Sequence, residues 1–394
     1  RSKGLFETEM TCEPGDRRLL SGHFIAHSTE LNAWFEIANV SEGIVRIGVV
    51  SLMPADNFHG MRRDVVEMLK TFKGGSLRWP GGCFAEQYPW KDGLLPVDKR
   101  PPLGPGYWIG LLPDSDHYDN HEIGTDEFMA LCRELNTEPA ITIRYGGDAA
   151  RYGSAGSPEE AADWVQYCNG AVGTTWGALR AERGNPEPYG VKYWYLGNEM
   201  WGVCMVPGAT GKGCADMSAS YAKAMHKADP ATQLIAATPT FNDDTNREWL
   251  APLLAQANAE LSLTQAGLYC FAPDEPQSME RIVGAVNGVA RPMIRGLRSF
   301  LDRTPPDGKR LGIVFYEWNA MWGQAGDVLS GVFAADMLNM FCCEAEALKL
   351  VQTGFFQPVS EGGIKVDPLT CTLDATGEVF VLYAEHHGNR LIKT

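Results

Sequence analysis

Two glutamates carry the chemistry this chain can do: Glu199, in YLGNEMWG, and Glu317, in VFYEWNAMWG. Each directly follows a short apolar run that reads as a strand. Two carboxyl groups at strand ends are the minimum equipment for splitting a glycosidic bond. One arrives protonated as an acid and the other ionised as a nucleophile. The neighbours suit a sugar: Asn198 can donate to a hydroxyl beside the reacting carbon, and Trp194, Trp201, Trp318 and Trp322 offer flat ring-binding faces. Taken singly, either glutamate is as readily a rim carboxylate in a salt bridge. Together, inside GNE and EWN, they favour the paired role.

To act on one bond, the pair must be brought together by a scaffold. Strand-like segments at 22–27, 76–79, 140–144, 192–196, 233–238, 266–270, 311–316 and 350–357 number eight. Helical patterns fill most gaps, at 62–72, 126–135, 215–227, 246–257, 278–301 and 328–348. In the first of these, Val65, Val66, Met68, Leu69 and Phe72 share a face. Ser157-Pro158-Glu159-Glu160 opens another helix as a capping box with proline at the first position. Eight strands alternating with helices predict an α/β fold of the (β/α)8 TIM-barrel kind, which usually needs about 250 residues. The competitor, a doubly wound open sheet, calls for a glycine-rich phosphate turn after the first strand, and His27-Ser28-Thr29-Glu30 is no such turn.

In that barrel Glu199 follows strand four and Glu317 strand seven, so both lie at the C-terminal mouth. The long loop 80–124 follows strand two on the same face, and its Tyr88, Trp90, Tyr107 and Trp108 either line outer sugar subsites or pack within the loop. The tail changes character: 379–383 and 390–392 read as short strands around His387-Gly388-Asn389. Two strands are not stable alone. The expected organisation is therefore a barrel over 21–360, with 1–20 and 361–394 forming a small, incomplete β-sandwich domain.

Composition narrows the partners. A net charge of -15 disfavours nucleic acid, whose affinity needs clustered Lys and Arg, and suits a carbohydrate substrate. No apolar run approaches the roughly 20 residues that span a bilayer, so no membrane partner is expected. RSKGLFETEM lacks the apolar core of a secretory signal, which leaves the location open between cytoplasm and secretion. The ten cysteines read mostly as small buried hydrophobes, Cys132, Cys168, Cys270, Cys342 and Cys343 among them; Cys204 and Cys214 are near enough for a local disulfide that nothing requires. No cofactor and no metal site is expected: Glu385-His386-His387 lacks a third ligand, and the 208–213 glycine run reads as a rim loop, lacking phosphate-loop spacing.

Several longer stretches resemble glycoside hydrolase family 51, the α-L-arabinofuranosidases: LRWPGGCFAEQYPWKDG, DKRPP, GTDEFMALCRELNTEP, PEPYGVKYWYLGNEMWG and YEWNAMWG. The resemblance covers nearly the whole chain, and RWPGG with WKDG and DKRPP is its most specific part. It implies a retaining glycosidase acting by double displacement on plant-type polysaccharide or oligosaccharide, with Glu199 as acid/base and Glu317 as nucleophile. It further implies that Arg78 orients the nucleophile, Asn198 binds the neighbouring sugar hydroxyl, Cys83 and Trp322 lie in the substrate site, and Tyr269 and Gln357 contact the sugar or the nucleophile. An endo-β-glycanase or a carbohydrate-binding relic on the same scaffold are the rival readings, and a homo-oligomer is left open.

The departures from the family pattern cluster around the reacting sugar. Ala26 stands for a glutamate, Cys83 for an asparagine, Gly267 for a histidine, and Tyr316 for the aspartate before the nucleophile, while Met321 takes the place of a tryptophan. Loss of a hydrogen-bonding partner costs about 1–3 kcal/mol each. Ala26, Cys83 and Gly267 together therefore predict a shifted or enlarged sugar pocket.

Overall fold

The computed structural model describes residues 10–11, 15, 19–28, 32–40, 42–103, 119–146, 155–201, 208–239, 242–271, 278–304, 309–321, 326–359 and 361–386. Helix α1 (Arg63–Thr71) leads into strand β1 (Ser76–Trp79), and strands and helices then alternate. They run α2 (Thr125–Leu135), β2 (Glu138–Thr142), α3 (Pro158–Asn169), α4 (Thr175–Glu182), β3 (Tyr193–Leu196), α5 (Gly211–Ala228) and β4 (Gln233–Ala236). Next comes α6, a continuous helix made of Asp243–Thr245, a π turn Asn246–Leu250 and Ala251–Ala257. β5 (Leu263–Phe271) is followed by α7, likewise Met279–Ala285, a π turn Val286–Ala290 and Arg291–Arg303. β6 (Gly312–Met321), α8 (Val328–Leu348) and β7 (Leu350–Phe355) complete the alternation.

The seven strands pair in parallel and in chain order, and β1 and β7 approach each other, so the sheet is a nearly closed (β/α) barrel. Strands buried on both faces divide their side chains by twos. Ala140, Tyr195, Ile235, Leu263, Val314 and Tyr316 fill the barrel interior. Their neighbours Ile141, Trp194, Leu196, Leu234, Ile313 and Phe315 face outward into the core shared with the helices. The helix starts follow local chemistry: Ser157 Oγ accepts from the Glu160 N–H at 3.1 Å, with Pro158 in the first turn.

Four expectations need correction. Residues 22–27 form no strand and join neither sheet, and Ile25 is 82% exposed. The segment carries only two large apolar side chains, adjacent rather than alternating, and so has little to bury on either face of a strand. Glu199 consequently follows the third strand of the described sheet. Residues 379–383 are helix, within α9 (Ala375–Ala384), preceded by a short hairpin of β8 (Ile364–Val366) and β9 (Cys371–Leu373). Asp374 decides this by accepting from the Thr376 and Gly377 N–H groups at 2.9 and 3.0 Å, an N-cap that overrides the strand propensity of Val379, Phe380 and Val381. Residues 390–392 lie outside the described residues.

The third correction concerns the glycine run, whose second half opens α5, capped by Thr210. The fourth is α8, which is long and apolar enough to cross a membrane by length and composition. Here its buried Phe333, Met337, Met340 and Phe341 belong to the helix–barrel core. Cys132 and Cys168 are buried as expected and Cys270 is half-buried, whereas Cys342 and Cys343 are exposed on α8; Cys214 is buried as a free thiol. Cys204 lies outside the described residues.

Candidate active site

At the C-terminal end of the sheet, β1, β2, β5 and β6 converge on the Glu317 carboxylate. Arg78 on β1 donates from Nη1 to Glu317 Oε1 at 2.7 Å, from Nη2 to Asn198 Oδ1 at 2.6 Å and from Nε to Thr142 Oγ1 at 2.9 Å. The guanidinium lies between the rings of Tyr195 and Tyr316, 4.8 and 5.0 Å from their centroids. Tyr269 on β5 donates its hydroxyl to Glu317 Oε2 at 3.0 Å. Both carboxylate oxygens thus accept, one through a charge-assisted bond.

Glu317 reaches this place because β6 is irregular. Its pairing with β5 steps from Ala266↔Phe315 to Gly267↔Glu317, so Tyr316 is an extra residue. On the β7 side the register passes from Phe315↔Thr353 to Trp318↔Phe355. A bulge of this kind re-aims side chains, and here two successive residues, Tyr316 and Glu317, face the mouth while Trp318 returns to the outer core. The expected strand end at 316 is therefore the middle of a strand that runs to Met321.

Glu199 sits differently, on the turn after β3. Its backbone takes a φ of 43°, and Gly197 before it takes 80°. A Cβ at Gly197 would come within 2.4 Å of Met200 Sδ and 2.8 Å of Tyr145 Cβ, so the tight turn requires glycine. Under it lies Glu86, fully buried, accepting from the Tyr145 N–H at Oε2 over 2.9 Å. Burial pushes the Glu86 carboxyl up to about 8, against the opposing N–H dipole of Tyr145, so it is neutral at neutral pH. Glu199 is half-buried. Burial, reinforced by the charge of Glu317, pushes its carboxyl up to about 7, while the Tyr316 hydroxyl and Arg78 pull the other way. The two glutamates thus meet one mouth in opposite settings.

The other expected site residues divide. Asn198 is buried, bound to Arg78, and its Nδ2 approaches Cys83 Sγ at 3.7 Å; Cys83 Sγ also lies 4.0 Å from Glu199 Oε2. Gln357 is exposed beyond β7, with its Nε2 3.4 Å from Glu361 Oε1. Trp322 lies outside the described residues. Trp194 and Trp318 are fully buried on the outward face of their strands, so neither presents a ring to a sugar. Trp318 is packed by Phe341, Phe355 and Phe380. Tyr88 and Trp90 pack against Trp164, inside the loop and helix core. Ala26 is exposed in the irregular segment before α1, and the room beside Gly267 is filled by the Tyr316 ring, so neither position enlarges a pocket here. Among the described residues no cluster of His, Cys, Asp or Glu is arranged to hold a metal ion. Sequence reasoning missed Thr142 and Glu86. The acidic residue inside FAEQYPW, four places past the last glycine of RWPGG, was the available signal.

The proteins this chain resembles are arabinofuranosidases. The family model of the Alpha-L-arabinofuranosidase 1 domain matches residues 68–265. Alpha-L-arabinofuranosidase C of Emericella nidulans is 33% identical over 280 residues, covering 68% of this chain and 52% of that protein. The intracellular exo-alpha-(1->5)-L-arabinofuranosidase 1 of Bacillus subtilis is 33% identical over 199 residues, 48% of this chain and 36% of that one. The chain spans about half the length of the first of these curated relatives and less of the second. The crystal structure of the Thermotoga maritima alpha-L-arabinofuranosidase in its arabinose complex superposes with a TM-score of 0.75 at 29% identity, over 86% of this chain and 67% of that one. Matched by that domain from β1 to the start of β5 and by that structure over most of its length, the chain belongs to glycoside hydrolase family 51, the α-L-arabinofuranosidases.

Proposed function

We propose that this chain removes α-L-arabinofuranosyl groups from plant-type polysaccharides or oligosaccharides with retention of configuration, using Glu317 as nucleophile and Glu199 as acid/base. The observation that carries the proposal is the contrast between the two carboxyls. Glu317 has both oxygens engaged by Arg78 and Tyr269, and Glu199 is pushed by burial up to about 7.

In the first step a Glu317 oxygen bonds to the anomeric carbon as the glycosidic bond breaks. The leaving oxygen takes the proton of Glu199. In the second step the Glu199 carboxylate takes a proton from water, whose oxygen bonds to the anomeric carbon and displaces Glu317. Arg78 ties the nucleophile to Asn198, the residue next to the acid, so a single cation sets the geometry of both.

Hydrolysis of 4-nitrophenyl α-L-arabinofuranoside, with the first-formed sugar followed by proton NMR, tests the reading. Retention is expected, with the carboxyls about 5–5.5 Å apart in a liganded crystal structure. Inversion overturns the mechanism. Cleavage inside a β-glucan or xylan without release of arabinofuranose overturns the substrate and favours the endo-acting alternative.

A further inference from the structure

Gly267 on β5 and Tyr316 on β6 are two departures from the family pattern that form one feature. A Cβ at Gly267 would lie 2.6 Å from Tyr316 Cε1 and 3.2 Å from its Cζ, so the ring occupies the room a side chain on β5 would need. The β6 bulge supplies the matching half by turning Tyr316 inward as the residue with no partner on β5. Gly354 on β7 accommodates it: a Cβ there would come 2.7 Å from the Tyr316 carbonyl oxygen. The ring, 5% exposed, is faced by Arg78. Its hydroxyl lies 3.3 Å from Glu199 Oε1. Among the described residues it is the one hydroxyl or N–H donor to the Glu199 carboxyl, the Cys83 thiol at 4.0 Å being the other contact.

We propose that Tyr316 is the positioning residue of the acid/base, its phenol donating to Glu199 Oε1 from room left by Gly267. The proposal rests on the assignment of Glu199 above. A half-buried carboxyl on a left-handed turn has rotamers to choose from, and a donor from the neighbouring strand selects the one aimed at the cleft. The groups facing Glu199 are Tyr316 and Glu317 from β6, Arg78 from β1, Cys83 from the loop after β1 and Tyr269 from β5. A hydrogen bond donated to a carboxylate favours its charged form. Loss of the phenol therefore raises the pH at which Glu199 gives up its proton. Because Glu199 acts protonated in the first step, that pH is the basic limb of kcat/KM.

Tyr316→Phe keeps the ring against Gly267 and removes only the hydroxyl. With an aryl arabinofuranoside of poor leaving ability, its basic limb is expected to move to higher pH by roughly half a unit, and kcat/KM to fall about threefold to tenfold. Gly267→Ala is the second variant: the new Cβ displaces the ring with its hydroxyl intact, and the limb moves the same way. Unmoved limbs in both overturn the proposal. Glu199→Gln separates the levels. If it abolishes the basic limb while Tyr316→Phe leaves the limb in place, the role of Tyr316 alone falls. If Glu199→Gln retains the limb, the acid/base assignment falls and takes this inference with it.

Discussion

Glu317 and Glu199 carry the same side chain to the same mouth, and their surroundings differ in almost every respect. Glu317 sits on a ten-residue strand, nearly buried, with a cation at 2.7 Å and a phenol at 3.0 Å. Glu199 sits on a turn, half-buried, with its best donor at 3.3 Å. The first environment offers a carboxylate two close donors, one of them a cation, and the second offers one longer, neutral donor. The scaffold thus gives two chemically alike carboxyl groups unlike settings.

The strongest way to break this contrast is to remove the compensated member. Glu317→Gln keeps the volume and an acceptor for Arg78 but removes the proposed nucleophile. A fall in kcat on the order of 10⁴-fold or more is expected, with the fold retained by circular dichroism. A variant retaining more than a few per cent of the activity would move the nucleophile elsewhere.

Next in size is the cation shared by the two halves. Arg78→Lys preserves charge but has one donor group where the guanidinium uses three, on Glu317, Asn198 and Thr142. Steady-state kinetics are expected to give a loss on the order of 10²- to 10³-fold, falling mainly on kcat, because the misplaced groups act in the transition state. A loss confined to KM would make Arg78 a binding residue only.

Much of this was legible in the sequence, for physical reasons. Parallel strands covered on both faces write themselves as apolar runs, so β3 at Tyr193–Leu196 was readable to within one residue. The same two-sided burial hid which face each side chain takes. That is why Trp194 and Trp318, beside the glutamates in sequence, read as sugar platforms and are buried on the opposite side. The β6 bulge was invisible because it exists only in the pairing of three strands. Gly267 and Tyr316 read as two separate losses for the same cause: a small residue and a large one compensate only when their strands are adjacent. In the tail, the apolar run of α9 outweighed Asp374, although an acidic residue two before a Thr-Gly pair is an N-cap signal.

The smallest effect on activity tests the ground under Glu199. Glu86 is a third glutamate of the site region, and it reaches no substrate: it holds the Tyr145 amide and lies 3.2 Å from where a Cβ on Gly197 would be, beneath the turn that carries Asn198 and Glu199. Its folded carboxyl is raised to about 8 from an ordinary 4.5. Between those two values the unfolded chain has released this proton and the folded chain still holds it, so the folded state binds more protons. Stability therefore falls as pH rises through the window, and its contribution is complete only below about 4.5. Glu86→Gln fixes a neutral group at the same place and removes the slope. Thermal unfolding at pH 5 and pH 8 is expected to show the wild type losing stability relative to Glu86→Gln, on the order of 3 to 4 kcal/mol. Since the amide also keeps an acceptor for Tyr145, kcat near pH 6 stays within about threefold. Parallel stability profiles would mean that Glu86 is charged in the fold. The turn beneath the acid would then be held by a carboxylate, and the burial that separates the two halves of the site would be weaker than the geometry implies.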